Sequence, residues 1–194
     1  MRKLEQSTYL DYNATVPILA DVKDAVIECM NLGPLNASSI HSFGRKGKNI
    51  IETSRENISD LINVKVEDII FTSSATEATN LLFNNFETII VSAIEHLAVL
   101  SSSKSNLVVK VNKNGLIDLN SLEDLLKTQT SHKQNVLVSI MWVNNETGVI
   151  QPIDDVIGLA RKYGCFIHCD AAQALGKVKI DLKKNDLDFV TLSG

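Results

Sequence analysis

Val136-Leu137-Val138-Ser139-Ile140-Met141-Trp142-Val143 runs straight into Asn144-Asn145, and Phe166-Ile167 runs into His168-Cys169-Asp170. These two stretches decide the fold. Short continuous apolar runs rich in β-branched residues read as strands buried on both faces. Each run ends in polar side chains, so together they deliver amides and a carboxylate to one edge of a sheet. In open α/β sheets ligands bind along the carboxyl edge of the strands.

The same rhythm continues outward from these stretches. Upstream, Ile69-Ile70-Phe71-Thr72 reads as a strand, Ala75 to Phe86 as a helix, Thr88-Ile89-Ile90-Val91 as a strand and His96 to Ser102 as a short helix. Leu107-Val108-Val109-Lys110-Val111 then makes a strand that Asn114-Gly115 turns, followed by a helix from Ser121 to Thr130. Ile153 to Tyr163 is helical with Gly164 as its stop, and Asp188-Phe189-Val190-Thr191-Leu192 is a last strand. Strands alternating with helices predict an α/β fold: a mostly parallel sheet with helices on both faces. The first part of the chain reads differently. Tyr9 to Thr15 is a short extended piece, and Pro17 opens a helix with Ala20, Val22, Ala25, Val26, Cys29 and Met30 at helical spacing, stopped by Gly33-Pro34. Leu35 to Ile40 is a polar loop, and a longer helix follows from His41 to Asn63.

The totals suit a globular chain: 194 residues with 44% hydrophobic and 22% charged content can enclose a core. A net charge of −4, with its basic residues scattered, argues against a nucleic-acid partner. Met1-Arg2-Lys3-Leu4-Glu5-Gln6 has no apolar segment behind its positive charges, and no run approaches a membrane span. The expected address is therefore cytoplasmic, with no membrane partner. Cys29, Cys165 and Cys169 are odd in number and sit inside apolar elements, which fits a reducing compartment and small buried hydrophobes better than disulfides or zinc. No metal site is expected.

Several loops carry polar groups that suit chemistry. In Thr72-Ser73-Ser74-Ala75-Thr76-Glu77, Ser74 and Glu77 have capping-box spacing, and a well-made helix start is the plainer reading. The same loop presents backbone N–H groups and the Thr76 hydroxyl at the positive end of a helix, which suits phosphate. The chain has neither G-x-G-x-x-G nor G-x-x-x-x-G-K-[ST], so dinucleotides and nucleoside triphosphates are not first choices. His96 could be a structural hydrogen-bonder, and Asn144-Asn145 a simple turn. Asp170 is harder to set aside, because a carboxylate at a buried strand end needs a cation or hydrogen-bond donors. The phosphate-ready loop, the imidazole at 96, amides at 145 and 173 and the carboxylate at 170 together describe a site for a planar phosphorylated pyridine.

Tyr9-Leu10-Asp11-Tyr12-Asn13-Ala14-Thr15, the run Asn36 to Arg45, Phe71 to Ala78, Glu95-His96, Asn144 to Ile153 and His168-Cys169-Asp170-Ala171-Ala172-Gln173 resemble, in order, motifs of the cysteine desulfurases. These are pyridoxal-phosphate enzymes of the class V aminotransferase group, in the branch serving iron–sulfur cluster assembly. The resemblance runs over the whole chain. It implies an incomplete large domain of the fold-type I pyridoxal-phosphate transferases: residues 1–15 as an N-terminal segment and 16–194 as a truncated cofactor-binding large domain, with the C-terminal small domain absent. It further implies that Ala75 and Thr76 hold the cofactor phosphate, that His96 stacks on the pyridine ring, and that Asp170 pairs with the ring nitrogen. Asn145 would reach the substrate carboxylate side and Gln173 the ring hydroxyl, with Ser193 adding a phosphate contact. Asn13, Ala14 and Thr15 would border the substrate. L-cysteine would be that substrate, an iron–sulfur scaffold protein the acceptor, and a homodimer or a complementing C-terminal chain the assembly.

Ser74 stands where the family usually has Gly and Ala37 where Pro is common; were φ positive at 74, serine would be strained there. In the family, the Ser-Gly that Ser193-Gly194 resembles precedes the His and the Schiff-base Lys. Neither that lysine nor the persulfide-forming cysteine has a counterpart in residues 1–194, so no catalytic residue is assigned. Lys177 and Lys179 are expected to lead away from the strand ends. A non-catalytic remnant, half of a split enzyme, or another class V enzyme such as a selenocysteine lyase or an aminotransferase are the competing expectations.

Overall fold

Five strands of the computed structural model, β1 (Thr88–Ser92), β2 (Asn106–Val109), β3 (Val136–Met141), β4 (Phe166–Asp170) and β5 (Phe189–Thr191), form a parallel sheet in the order β2-β1-β3-β4-β5. The structure describes residues 8–102, 106–131 and 135–194, so residues 1–7 of the expected N-terminal segment lie outside it. By compactness the chain divides into one unit with the sheet, which includes Asn13, Ala14 and Phe71–Gly194, and a second, Thr15–Ile70.

The central strands are covered on both faces. Helices α3 (Ala75–Phe83) and α4 (Leu97–Leu100) contribute Phe83 and Val99 to a cluster with Ile89, Val91 and Leu137. Alternate strand residues Ile90, Val138 and Ile140 point the other way and are just as buried. There α5 (Leu119–Thr130) and α6 (Ile153–Lys162) pack on each other, α5 on β2 and α6 on β4. Because β2 lies outside β1 while β3, β4 and β5 follow on the other side, the order reverses between β1 and β3. That reversal is the topological switch point, where α/β sheets open a crevice at the carboxyl ends.

Parallel register brings one polar row through this core. His168 Nδ1 lies 2.8 Å from Ser139 Oγ and its Nε2 lies 2.9 Å from Thr191 Oγ1, so β3, β4 and β5 are joined by side chains. The Phe83 ring meets the imidazole edge-on at 6.0 Å. Burial lowers the His168 pKa to about 4, and the ring is neutral with both nitrogens satisfied. At the amino edge Phe86 packs against Phe166 and Phe189, the first residues of β4 and β5. The exit from α3 thus sits at the amino edge, and its N-terminus faces the carboxyl edge. Arg161 on α6 clamps the approach to β5, with Nε 2.7 Å from Asp186 Oδ2 and Nη1 2.8 Å from Asp188 Oδ2. Asp188 Oδ2 also accepts from the Ile167 amide at 2.8 Å.

In the second unit, α1 (Ala20–Asn31) starts three residues after Pro17, and α2 (Ser42–Ile62) begins where the Gly44 amide donates to His41 Nδ1 at 3.3 Å. Gly44 is required by close approach: a Cβ there would lie 2.0 Å from the Ser39 carbonyl oxygen. α1 has no buried residue, and Cys29 is exposed, against the expectation of a buried hydrophobe. Helical spacing identifies an apolar stripe without saying what covers it. Cys165 and Cys169 are buried as expected.

Two strand expectations need correction. Ile69-Ile70-Phe71-Thr72 forms no strand; a 3-10 turn, Val66–Asp68, leads into an extended segment in which Ile70 and Phe71 are exposed. An apolar β-branched run favours extended backbone, but a ladder also needs a neighbour with free edge groups. The strand expected over Leu107–Val111 stops at Val109, and Val111 pairs antiparallel with Ile117 instead. Asn112 causes the reversal by accepting from the Asn114 and Leu116 amides at 2.8 and 3.2 Å.

Candidate functional site

The first turn of α3 leaves amides open. Ser74 Oγ caps the Glu77 amide at 3.2 Å, and Glu77 Oε2 reaches back to the Ser73 amide at 2.6 Å. The Ser73 contact holds the Glu77 carboxyl below its ordinary pKa. The Ala75 and Thr76 amides have no acceptor among the described residues, nor does the Thr76 hydroxyl have a partner. Both amides sit at the positive end of the helix. Ser74 has φ −167°, an extended conformation open to any residue, so serine in place of glycine introduces no strain.

After β1 the chain turns through Glu95 and His96. Glu95 is buried at 5% exposure, and its Oε1 accepts from Ser92 Oγ at 2.5 Å and from the Met141 amide at 2.9 Å. Its Oε2 has no hydrogen-bond partner among the described residues. Burial raises its pKa to about 8 against those hydrogen bonds, and the nearby Asp170 charge adds to the rise. His96, exposed, caps α4: the Ala98 amide donates to its Nδ1 at 3.1 Å, which leaves Nε2 to carry the proton.

The two asparagines after β3 divide their tasks. Asn144 is buried and organises the loop, its Oδ1 accepting from the Glu146 amide, the Thr147 amide and Thr147 Oγ1 at 3.1, 2.8 and 2.9 Å. Its Nδ2 donates to the Ile94 carbonyl at 3.0 Å, tying the loops after β1 and β3 together. Asn145 is half-buried, with no side-chain partner among the described residues. Asn13 Nδ2 donates to the Asn144 carbonyl, which brings the N-terminal segment to the same loop.

Asp170 ends β4 at 8% exposure. Its Oδ1 accepts from the Ala172 amide at 3.0 Å, and among the described residues it has no ion pair. Burial raises its pKa, with smaller opposing effects from the Ala172 amide and from His96. Gln173, half-buried, donates from Nε2 to the Ala14 carbonyl at 3.3 Å. Ser193 follows β5, exposed, at the same carboxyl edge. Thr15 opens the second unit.

The carboxyl edge thus gathers His96, Asn145, Asp170 and Ser193 on the loops after successive strands, with Asn13, Ala14 and Gln173 bonded into the same unit. Sequence reasoning passed over two residues. Lys177, expected to lead away from the strand ends, turns back: its Nζ is 2.8 Å from the Asn13 carbonyl oxygen and 2.5 Å from Gln173 Oε1. Glu95 was readable by the argument that singled out Asp170, as a carboxylate in the turn that follows a buried strand. The donor set fits a phosphorylated pyridine: two open helix amides with a hydroxyl for an anion, and a buried carboxylate lacking a cation for a ring nitrogen. Cys165 and Cys169 make poor nucleophiles, because burial raises the Cys165 thiol to about 11 and holds the Cys169 thiol well above the ordinary thiol value.

Comparison with known proteins agrees with this architecture. Cysteine desulfurase IscS of Ehrlichia chaffeensis is 37% identical over 208 residues, which cover 100% of this chain and 50% of that protein. The mitosomal cysteine desulfurase of Trachipleistophora hominis is 37% identical, over 96% of this chain and 45% of that protein. The chain spans about half the length of the curated relatives it matches. Among solved structures, a NifS-like protein from Rickettsia africae superposes with a TM-score of 0.86 at 41% identity, over 96% of this chain and 53% of that one. SspA, solved in complex with cysteine, superposes with a TM-score of 0.85 at 29% identity, over 97% of this chain and 57% of that one. The family model described as Aminotransferase class-V matches residues 8–194, and the chain belongs to that family.

Proposed function

We propose that residues 16–194 are the cofactor-binding part of a cysteine desulfurase, with residues 1–15 as a segment bordering the substrate. The observation that carries this reading is Asp170, a buried carboxylate at a strand end with one backbone donor and no ion pair among the described residues. A protonated pyridine nitrogen would complete it. In this reading the Ala75 and Thr76 amides and the Thr76 hydroxyl hold the phosphate of pyridoxal 5′-phosphate, and Ser193 adds a hydroxyl. The His96 ring lies on the pyridine face. Gln173 offers its amide to the ring oxygen, and Asn145 offers its side chain toward the substrate carboxylate. When bound, the cofactor supplies an electron-withdrawing ring. The residues of this chain orient that ring, keep its nitrogen protonated and exclude water from the Asp170 side.

L-cysteine as substrate is supported by the relatives' names, and removal of its sulfur to leave alanine with delivery to an iron–sulfur scaffold protein is what the resemblance of the motifs implies. Each belongs to the whole protein, as does a homodimer or a complementing C-terminal chain. Among the described residues no side chain is assigned the part of the covalent lysine or the persulfide cysteine, and the residues named here bind and orient.

Equilibrium dialysis with pyridoxal phosphate tests the reading. Saturable uptake of one molecule per chain is expected, lost in Asp170→Ala and weakened about tenfold in Thr76→Val. Borohydride reduction should leave no adduct on a single defined lysine. Failure of the wild-type chain to bind in a saturable way would overturn the proposal.

A further inference from the structure

Lys177 is exposed, yet its ammonium is not left to water. It donates to the Asn13 carbonyl oxygen at 2.8 Å and to Gln173 Oε1 at 2.5 Å, with Asn13 Oδ1 at 3.5 Å. No carboxylate forms an ion pair with it among the described residues. Local geometry causes this: after Asp170 the chain runs through tight turns, with the Ala174 amide bonded to the Ala171 carbonyl, the Lys177 amide to the Ala174 carbonyl, and Gly176 at φ +75°. The lysine therefore returns over Gln173 one turn later.

The chemistry of an ammonium settles which way the Gln173 amide points. An ammonium has three donors and no acceptor, so the Gln173 atom facing it is the oxygen. The amino group is then committed to the opposite side, where it meets the Ala14 carbonyl oxygen at 3.3 Å, a long contact that leaves donor capacity over. An amide free to flip would present an acceptor half of the time. With Lys177 in place it presents a donor.

We infer that Lys177 is a positioning residue: by holding Gln173 Oε1 and the Asn13 carbonyl together, it fixes the Gln173 amino group as a donor toward an anionic ring oxygen and fastens the N-terminal segment beside it. The inference rests on the cofactor reading for the identity of that oxygen, and on the structure alone for the amide orientation. Lys177 touches neither cofactor nor substrate in this arrangement; it acts through Gln173.

Two measurements test it. In the first, pyridoxal phosphate is titrated by absorbance into the wild-type chain, Lys177→Met, Lys177→Arg, Gln173→Ala and Lys177→Met with Gln173→Ala. Lys177→Met should bind about tenfold more weakly and Lys177→Arg within about threefold of wild type, since arginine also only donates. Once Gln173 is alanine, Lys177→Met should cost less than about twofold. Equal losses in both backgrounds would overturn the inference. In the second, the Gln173 side-chain amide resonances are followed in the chain without ligand; they should shift in Lys177→Met and stay in place in Lys177→Arg. Unmoved resonances in Lys177→Met would overturn the inference whatever the chain binds. A shifted resonance in a chain that takes up no pyridoxal phosphate would overturn the cofactor reading alone.

Discussion

Glu95 Oε1 accepts a hydrogen bond from the Met141 amide at 2.9 Å, joining the turn after β1 to the last residue of β3 across the point where the strand order reverses. The crevice at that point is therefore held by a buried carboxyl group rather than by apolar packing alone.

Its titration gives a signed prediction. Burial raises the Glu95 pKa from 4.5 to about 8, so between those values the folded chain keeps a proton that the unfolded chain has released. Unfolding releases it, and stability falls as pH rises through that window, by at most about 1.4 kcal/mol per pH unit, then levels off. Glu95→Gln retains the accepting oxygen and cannot ionise. Its urea midpoint should decline less than that of wild type between pH 6.5 and pH 8, above the His168 titration, and exceed that of wild type at the upper end. A decline parallel to wild type would show that Glu95 does not set the slope.

His168 acts on the acid side with the opposite sign. Burial lowers its pKa from 6.5 to about 4, so its contribution is whole above 6.5 and is lost as pH falls toward 4. The imidazole carbon resonances should not titrate at pH 5.5. His168→Ala should cost about 2–4 kcal/mol, combining the Ser139 and Thr191 hydrogen bonds with a cavity beside Phe83. Chemical denaturation measures it.

Asp170 should trade stability for binding. Asp170→Asn keeps the oxygen that accepts from the Ala172 amide and removes a buried charge without a cation. Without cofactor the variant should be more stable than wild type by about 1 kcal/mol, while pyridoxal phosphate binds at least about tenfold more weakly. Thermal melts with and without the ligand read both effects. Destabilisation without ligand would mean that the carboxylate is already compensated.

Two helical glycines should respond in opposite directions to alanine. At Gly44 the new Cβ would overlap the Ser39 carbonyl, whereas at exposed Gly158 in α6 nothing lies within 4 Å. Gly44→Ala should destabilise by more than about 2 kcal/mol, and Gly158→Ala should stabilise by about 0.5–1 kcal/mol through helix propensity. Far-UV circular dichroism melts would separate them.

Much of the sheet was legible because β1 and β3 are mostly apolar and buried along their whole length, as strands of a doubly covered parallel sheet are. Asp170 was legible as an ionisable group where an apolar run ends. The segment at Ile69–Thr72 was misread because alternation and branching describe a residue's preference, while pairing depends on a partner elsewhere in the chain. Lys177 was misread for a related reason. Sequence order places it beyond Gln173, and only the turns through Ala174 and Gly176 reveal that it comes back. The division of labour between Asn144 and Asn145 was likewise invisible, since identical side chains take opposite roles according to which one faces the Ile94 carbonyl.

The bond from Lys177 to Asn13 spans 164 positions of the chain. During synthesis from the N-terminus, residues 13 and 14 leave the ribosome long before anything exists for them to hold. The five-stranded scaffold can begin to assemble strand by strand, but this wall of the crevice closes only once residue 177 has emerged. Loop closure over such a distance is slow relative to local pairing. The ligand-facing corner is therefore timed to be among the last parts to form, and a nascent chain halted before residue 177 would hold its N-terminal segment by the Asn144 carbonyl without the Gln173 and Lys177 contacts.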